Sequence, residues 1–292
     1  MPSVGLLRTF AREVFVTRSL AREPEGDLVM DDPAQVAAYA EAGRIDGVMA
    51  AAYLFHSARI SQAIQGRATV VDLGCGPATQ LAQVAQLNPG IRFTGIDLSP
   101  SMLKDAEQHV RDLGLRNVEF READITRMQM LADRSADAVI STMALHHLPT
   151  LQHLDTCFGE IRRILKPNGA LYLTDFGRLK SIKSVQFFAY MNEAHQPHIF
   201  SLDYERSLRA AFLKADFELL ASKYFSSQQV TVESTFKVPF LVILKTADQP
   251  LPDAMRQRIS AMCKSLKPRY RRDLNDMRTF FALGGLRNDP FS

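Results

Sequence analysis

Two glycines in the sequence are spaced so that the backbone can turn tightly around a ligand. Gly74 and Gly76 follow the apolar run at residues 68–73, and a helical stretch begins at Thr79. Because glycine has no Cβ, the backbone at such a turn can approach a bound molecule closely. A glycine pair alone is a weak signal, so its meaning depends on the residues that the following strands bring beside it.

Two acidic residues are expected beside this turn. Asp97 ends the second predicted strand and Asp124 ends the third. Carboxyl ends of parallel strands meet at one edge of a sheet, where an acid about 20 residues past the glycines can accept hydrogen bonds from ribose hydroxyls. Thr79 stands where a dinucleotide fingerprint has its third small residue, and no phosphate-binding Gly-Lys-Ser/Thr follows. The sequence therefore predicts an adenosine-bearing ligand without phosphates.

The elements that must position these residues alternate along the chain. Apolar, β-rich runs are interrupted by helical stretches, a pattern typical of a parallel sheet with crossover helices. The predicted strands lie at residues 68–73, 92–98, 118–125, 138–145 and 170–176, with further candidates at 217–224 and 238–246. Ser99 and Pro100 suit the cap and first turn of the helix after the second strand. The sequence therefore indicates an α/β fold.

Several sequence motifs resemble those of class I S-adenosylmethionine-dependent methyltransferases. The motifs are DLGCG at 72–76, GIDLSPSM at 95–102, ADI at 123–125, MALHHL at 143–148 and ILKPNG at 164–169. The resemblance covers roughly residues 67–176 and implies a Rossmann-like, seven-stranded, mostly parallel sheet with helices on both faces. Its last strand is expected to be antiparallel, and 217–224 and 238–246 are the expected sixth and seventh strands. Ala78 departs from the pattern, because many members carry a third glycine there.

The resemblance implies S-adenosyl-L-methionine as the cofactor and gives its binding residues. Gly74 and Gly76 line the methionine part, and Asp97 holds the ribose. Adenine lies near Leu98, Met102, Asp124 and Ile125, while Thr142 lies near the methionine end. Asp72, which ends the first strand, suits a capping role and is also compatible with a ligand role, so the predicted cofactor site includes it.

The catalytic and acceptor-binding residues are open between two interpretations. His146 and His147 follow the fourth strand, where one of them can act as general base or merely support the backbone. Phe187, Phe188 and Tyr190 either line an acceptor pocket or pack in the core of an inserted helix. No metal site is predicted, because no carboxylate cluster accompanies the His195 and His198 pair.

The domain organisation follows from where the motifs and charges lie. Residues 1–66 are expected to form a helical lid, 67–246 the methyltransferase domain with an aromatic insertion at 177–202, and 247–292 a basic helical tail. The tail holds nine basic and five acidic side chains in a chain whose net charge is +3. The start of the chain is rich in arginine, which suits either an organelle transit peptide or a helix packed on the body; the packed helix is preferred.

The preferred function is methyl transfer to an oxygen, nitrogen or carbon atom of a small molecule. The alternatives are an RNA or protein methyltransferase that uses the basic tail, and a non-catalytic subunit that binds the cofactor. Three scattered cysteines and the lack of a long apolar run predict a cytoplasmic protein that does not enter a membrane. Nucleic acid is not the expected partner, and a homodimer is left open.

Overall fold

A single sheet organises the computed structural model, which describes residues 3–26, 47–226 and 229–292. Its strands are β1 Thr69–Leu73, β2 Arg92–Asp97, β3 Val118–Glu122, β4 Ala136–Thr142, β5 Leu165–Phe176, β6 Val230–Ser234 and β7 Leu241–Thr246. The strand order is β3-β2-β1-β4-β5-β7-β6, and β7 runs antiparallel to both of its neighbours. The predicted seven-stranded, mostly parallel sheet is confirmed.

Helices cover both faces of this sheet. They are α1 Val4–Phe15, α2 Ala50–Ala63, α3 Thr79–Leu87, α4 Pro100–Asp112, α5 Leu151–Ile164, α6 Ile182–Tyr190, α7 His198–Ala210, α8 Lys214–Tyr224, α9 Asp253–Ser265 and α10 Pro268–Leu283. Side chains alternate across a strand, so Val70 packs with α2, α3 and α10, while its neighbour Val71 packs with α5 and α8. Both faces of the central strands are therefore buried.

The predicted sixth strand at 217–224 is wrong. These residues belong to helix α8, and the sixth strand is β6, which begins at Val230. Phe217, Leu220 and Ala221 are buried on one side of α8, at the spacing of a helix rather than a strand. Asp216 accepts a hydrogen bond from the backbone N–H of Leu213 at 2.8 Å, which caps the start of the helix.

The N-terminal segment packs against the body of the protein. The Phe10 ring of α1 stacks on Phe280 of α10, with 4.1 Å between centroids. The Glu13 carboxylate accepts hydrogen bonds from the backbone N–H groups of Lys180 and Ser181. Of the helical lid predicted for residues 1–66, the structure describes α1, residues 16–26 and α2, because residues 27–46 lie outside the described part of the chain. The lid therefore stays a prediction.

The basic tail is part of the core. Leu274 and Phe281 of α10 are fully buried against α2. Arg59 of α2 donates hydrogen bonds to the carbonyls of Arg287 and Asn288. In the three described ranges, no helix has both the length and the apolar character needed to cross a bilayer.

A buried histidine beneath the tail should make the protein acid-sensitive. His56 is fully buried, and its Nδ1 lies 2.8 Å from the Tyr172 hydroxyl. Burial, aided by the charge of Arg59, lowers the pKa of His56 to about 3. The unfolded chain takes up this proton near the ordinary pKa of 6.5, whereas the folded protein excludes it. The stability contributed by neutral His56 is therefore complete above pH 6.5 and is lost as the pH falls towards 3.

We expect this histidine to lower the free energy of unfolding by about 1.4 kcal/mol for each pH unit below 6.5. Urea denaturation of the wild type and of His56→Gln at pH 7 and pH 5 measures the difference. The variant should lose about 2 kcal/mol less than the wild type over this interval. The exposed His195→Gln variant is the matched control, and equal losses in all three proteins would contradict the prediction.

Candidate functional site

A cavity of about 240 Å³ lies at the carboxyl ends of the parallel strands. Segments that follow β1, β2, β3 and β4 supply one side, and helix α7 supplies the other. Seven of the predicted cofactor residues line this cavity: Gly74, Gly76, Asp97, Leu98, Met102, Asp124 and Ile125. The topology therefore brings together residues that are separated by up to 51 positions in the chain.

The glycine turn is required by the backbone and by close packing. Gly74 has a φ of +67°, and a Cβ there would lie 2.3 Å from the Cβ of Ala144. Gly76 has a φ of +51°, and a Cβ there would point into open space. The backbone N–H groups of Gly74 and Cys75 both donate to the carbonyl of Ile96. The turn is thus held against β2 while one side stays free for a ligand.

Asp97 supports this turn from the end of β2. Its Oδ2 accepts a hydrogen bond from the Gly76 N–H at 2.8 Å, and its Oδ1 accepts one from the Ser99 N–H at 2.9 Å. Ser99 Oγ in turn accepts from the Met102 N–H and caps helix α4. The same cap positions Leu98 and Met102 in the wall of the cavity.

A second, smaller cavity of about 30 Å³ shares the glycine turn with the first. Asp72 and Thr142, the two remaining predicted cofactor residues, line it together with Gln80. Thr142 Oγ1 and Gln80 Oε1 are buried without a hydrogen-bond partner among the described residues. Burial, together with the charge of Asp97, raises the pKa of Asp72. This end of the site therefore offers polar atoms that a ligand would satisfy.

The two predicted catalytic histidines lie in a short 3₁₀ turn, Leu145–His147, above β4. His146 is buried, and its Nδ1 lies 2.7 Å from Asp175 Oδ1. Asp175 also accepts hydrogen bonds from the backbone N–H groups of His146 and Phe176. These bonds fix the orientation of the His146 ring, so its Nε2 is the nitrogen left for other contacts.

Glu25 reaches the same turn from the N-terminal segment. One carboxylate oxygen lies 2.7 Å from His147 Nδ1, and the other lies 4.0 Å from His146 Nε2. Burial opposes charge on Glu25, but the hydrogen bond with His147 outweighs it and lowers the pKa of Glu25 to about 2. Burial likewise opposes charge on His147, while the bond to Glu25 outweighs it and raises the His147 pKa. No motif in the sequence points to Glu25.

Arg22 holds the N-terminal segment against the histidine turn. Its guanidinium donates to the carbonyls of His146, Leu148, Pro149 and Ala210, at distances between 2.5 and 2.9 Å. It also lies 3.9 Å from the centroid of the Phe212 ring. We call residues 18–26 the strap, because this arginine ties them to the turn that follows β4 and to the end of α7.

The three residues predicted to bind the acceptor lie away from the main cavity. Phe188 stacks on Phe240 with 3.8 Å between centroids, and Phe187 and Tyr190 pack on the same core. Helix α7 lines the cavity in their place, with Phe200, Asp203, Tyr204 and Ser207. Phe200 lies near the end of the aromatic insertion predicted at 177–202. The four residues share one face of α7, because they are spaced three to four positions apart.

Comparisons with known proteins agree with this architecture. A family model described as a methyltransferase domain matches residues 64–207. The structure of the plantazolicin methyltransferase BpumL, in complex with SAH, superimposes with a TM-score of 0.54 at 13% identity, covering 85% of this chain and 96% of that one. Residues 64–207 therefore form a methyltransferase domain of the S-adenosylmethionine-dependent family.

Two curated relatives match about a third of the chain. An arsenite methyltransferase from Halobacterium salinarum is 32% identical over 37% of this chain and 27% of its own length. A trans-aconitate 2-methyltransferase from Escherichia coli is 35% identical over 35% of this chain and 36% of its own length. The chain thus spans about a third of the length of each of these two relatives.

The residues at the site fit the cofactor of this methyltransferase family. The open side of Gly76 leaves room for a ligand, and the orphaned Thr142 Oγ1 offers it a hydrogen-bonding atom. Asp124 lines the far side of the cavity, and its Oδ1 accepts hydrogen bonds from the Thr126 backbone and hydroxyl. The donors and acceptors therefore extend from the small polar cavity, past Asp97, to Asp124.

Proposed function

We propose that this protein transfers a methyl group from S-adenosylmethionine to a small molecule bound between the histidine turn and helix α7. One observation carries the proposal: a continuous cavity joins the glycine turn and Asp97 to His146, His147 and Tyr204. The cofactor and an acceptor would share this cavity, which suits a direct transfer between them. The names of the curated relatives, which act on arsenite and trans-aconitate, support an acceptor of small size.

The proposed roles of the chain's residues are binding, orientation and exclusion of water. When bound, the cofactor supplies an activated methyl group for in-line displacement, which requires an acceptor atom held about 3 to 3.5 Å away. Asp72, Gly74, Gly76 and Thr142 would hold the methionine end, and the residues after β2 and β3 would hold the adenosine. His146 and His147 would contact the acceptor, while Phe200 and Tyr204 would form the cavity wall on the side of helix α7.

The charge of the cavity favours a small acceptor over RNA. Within the described ranges its walls include three aspartates, three histidines and no lysine or arginine. A polyanion would need cationic side chains to neutralise its phosphates. The arginines and lysines of the basic tail lie elsewhere, so they do not favour the RNA alternative.

We expect Phe200→Ala to raise the KM for the acceptor about 10-fold, because an aromatic wall contact is worth roughly 1.4 kcal/mol. The affinity for S-adenosylmethionine should not change. Release of S-adenosylhomocysteine, measured with phenols, amines, arsenite and trans-aconitate as trial acceptors, identifies an acceptor first. Leu202→Ala, at an exposed position of the same helix, is the matched control.

The proposed function would be overturned by two results. One is failure of the full-length protein to bind S-adenosylmethionine in calorimetry. The other is tight binding with no methylated product from any class of trial acceptor, which would favour the non-catalytic alternative.

A further inference from the structure

We propose that Glu25, His146 and His147 bind one divalent transition-metal ion beside the cofactor cavity. Each residue offers one ligand atom, and these atoms all lie within 4.8 Å of one another. Glu25 oxygens lie 2.7 Å from His147 Nδ1 and 4.0 Å from His146 Nε2. An ion bound among these three ligand atoms would keep further coordination positions open.

The donor set selects the class of ion. Two imidazole nitrogens and one carboxylate oxygen suit zinc, iron(II), cobalt(II) or manganese(II), whereas magnesium and calcium prefer oxygen ligands. Ligand atoms of a tetrahedral zinc site lie roughly 3.3 Å apart, since each is about 2.0 Å from the ion. The distances of 2.7 and 4.0 Å from the Glu25 oxygens to the two histidine nitrogens lie on either side of this value. The side chains would therefore need only small movements to bind an ion.

A buried carboxylate behind the cluster supports the assignment. Metal-binding histidines usually donate their second ring N–H to a carboxylate or carbonyl, which orients the ring. His146 has this arrangement, because its Nδ1 lies 2.7 Å from Asp175, which is only 1% exposed. The ring is therefore fixed with Nε2 on the side of Glu25.

The third ligand is also held in place before any ion binds. Ser207 Oγ donates a hydrogen bond to Glu25 Oε1 at 2.9 Å. Two residues earlier in the strap, Glu23 pairs with Arg209 through both its side chain and its backbone N–H. Because α7 carries Ser207 and Arg209, it fixes Glu25 opposite the histidine turn. Glu25 lies 121 positions before His146, so no local pattern in the sequence brings these ligands together.

The position of the cluster indicates what the ion would do. His146 and His147 line the cavity, whose described walls contain no lysine or arginine to hold an anionic atom. An ion with open positions would supply that charge and would lower the pKa of an acceptor hydroxyl that binds to it. The acceptor class is then a small molecule with an ionisable oxygen. This role rests on the proposed function, whereas the metal site itself does not.

Calorimetry on the full-length protein tests the site directly. The protein is treated with a chelator, dialysed and titrated with Zn²⁺, and in a second series with Mn²⁺. We expect one ion per chain for at least one of the two metals. Glu25→Gln, His146→Ala and His147→Ala should each weaken binding at least about 10-fold. The visible absorption of bound Co²⁺ gives a second readout, which should change in each variant.

Matched controls separate this site from adventitious binding. His198 Nδ1 lies 2.9 Å from Glu193 on the protein surface, so His198→Ala removes an exposed histidine–carboxylate pair and should leave ion binding unchanged. Circular dichroism verifies that each variant is folded. Absence of stoichiometric binding to the wild type, or binding to all three cluster variants as tight as to the wild type, would overturn the site. Methyl transfer at an undiminished rate after chelation would overturn its role but not the proposed function.

Discussion

Asp97→Asn should weaken binding of S-adenosylmethionine about 100-fold, because a charged hydrogen-bond acceptor is worth roughly 1.5–3 kcal/mol. Asp97 accepts hydrogen bonds from the Gly76 and Ser99 backbone N–H groups, one on each carboxylate oxygen. Asparagine has one carbonyl oxygen and one NH₂ group, so it can keep only one of these bonds and cannot offer an anionic acceptor to the ribose. Isothermal titration with the cofactor measures the loss.

A modified ligand separates loss of the ribose contact from distortion of the turn. The wild type should bind S-adenosylhomocysteine much more tightly than its 2′,3′-dideoxy analogue, and Asp97→Asn should show little preference between the two. Glu122→Gln is the matched control, since Glu122 pairs with Asp97 in the sheet register but is exposed and lies outside the cavity. A variant that discriminates as strongly as the wild type would refute the ribose assignment.

The cofactor side of the site could be predicted because it depends on local order in the chain. Gly74 is required by a turn directly after β1, and Asp97 ends the next strand, so the parallel topology alone brings them together. The residues predicted from these motifs accordingly line the two cavities that share the glycine turn. Their part in cofactor binding stays a prediction until the titrations are made.

The acceptor side could not be predicted because it is built by contacts between distant parts of the chain. Phe188 and Tyr204 both lie in or near the aromatic insertion, so the sequence does not distinguish their roles. In the fold, Phe188 of α6 packs on Phe240 in the core, whereas Tyr204 of α7 lines the cavity. Glu25 has no motif around it. The sequence predicts a strand for the residues of α8 because a short apolar run is compatible with the spacing of a strand or of a helix. The packing of Phe217 and Leu220 with α5 favours the helix.

Arg22→Ala should lower the free energy of unfolding by about 3 kcal/mol and should reduce the rate of methyl transfer. The guanidinium serves four carbonyl groups, and hydrogen bonds to a charged group are worth roughly 1.5–3 kcal/mol each. In the variant, the partly buried carbonyls can form hydrogen bonds with water instead. The expected loss of unfolding free energy is therefore far below the sum of four such bonds. Burial lowers the pKa of Arg22 to about 10, which leaves the side chain charged at neutral pH.

The rate should fall because Arg22 holds the strap against the histidine turn. Without it, the carbonyls of His146 and Leu148 lose their donor, and the strap loses its link to the backbone of that turn while it keeps its contacts to Ser207 and Arg209 of α7. Urea denaturation and limited proteolysis of the strap measure the two effects, and Arg22→Lys should recover only part of the stability because an ammonium cannot reach all four carbonyls. Arg18→Ala removes an exposed arginine from the same strap. If Arg18→Ala destabilises the protein as much as Arg22→Ala does, the loss of stability comes from the positive charge of the strap and not from the hydrogen bonds of Arg22.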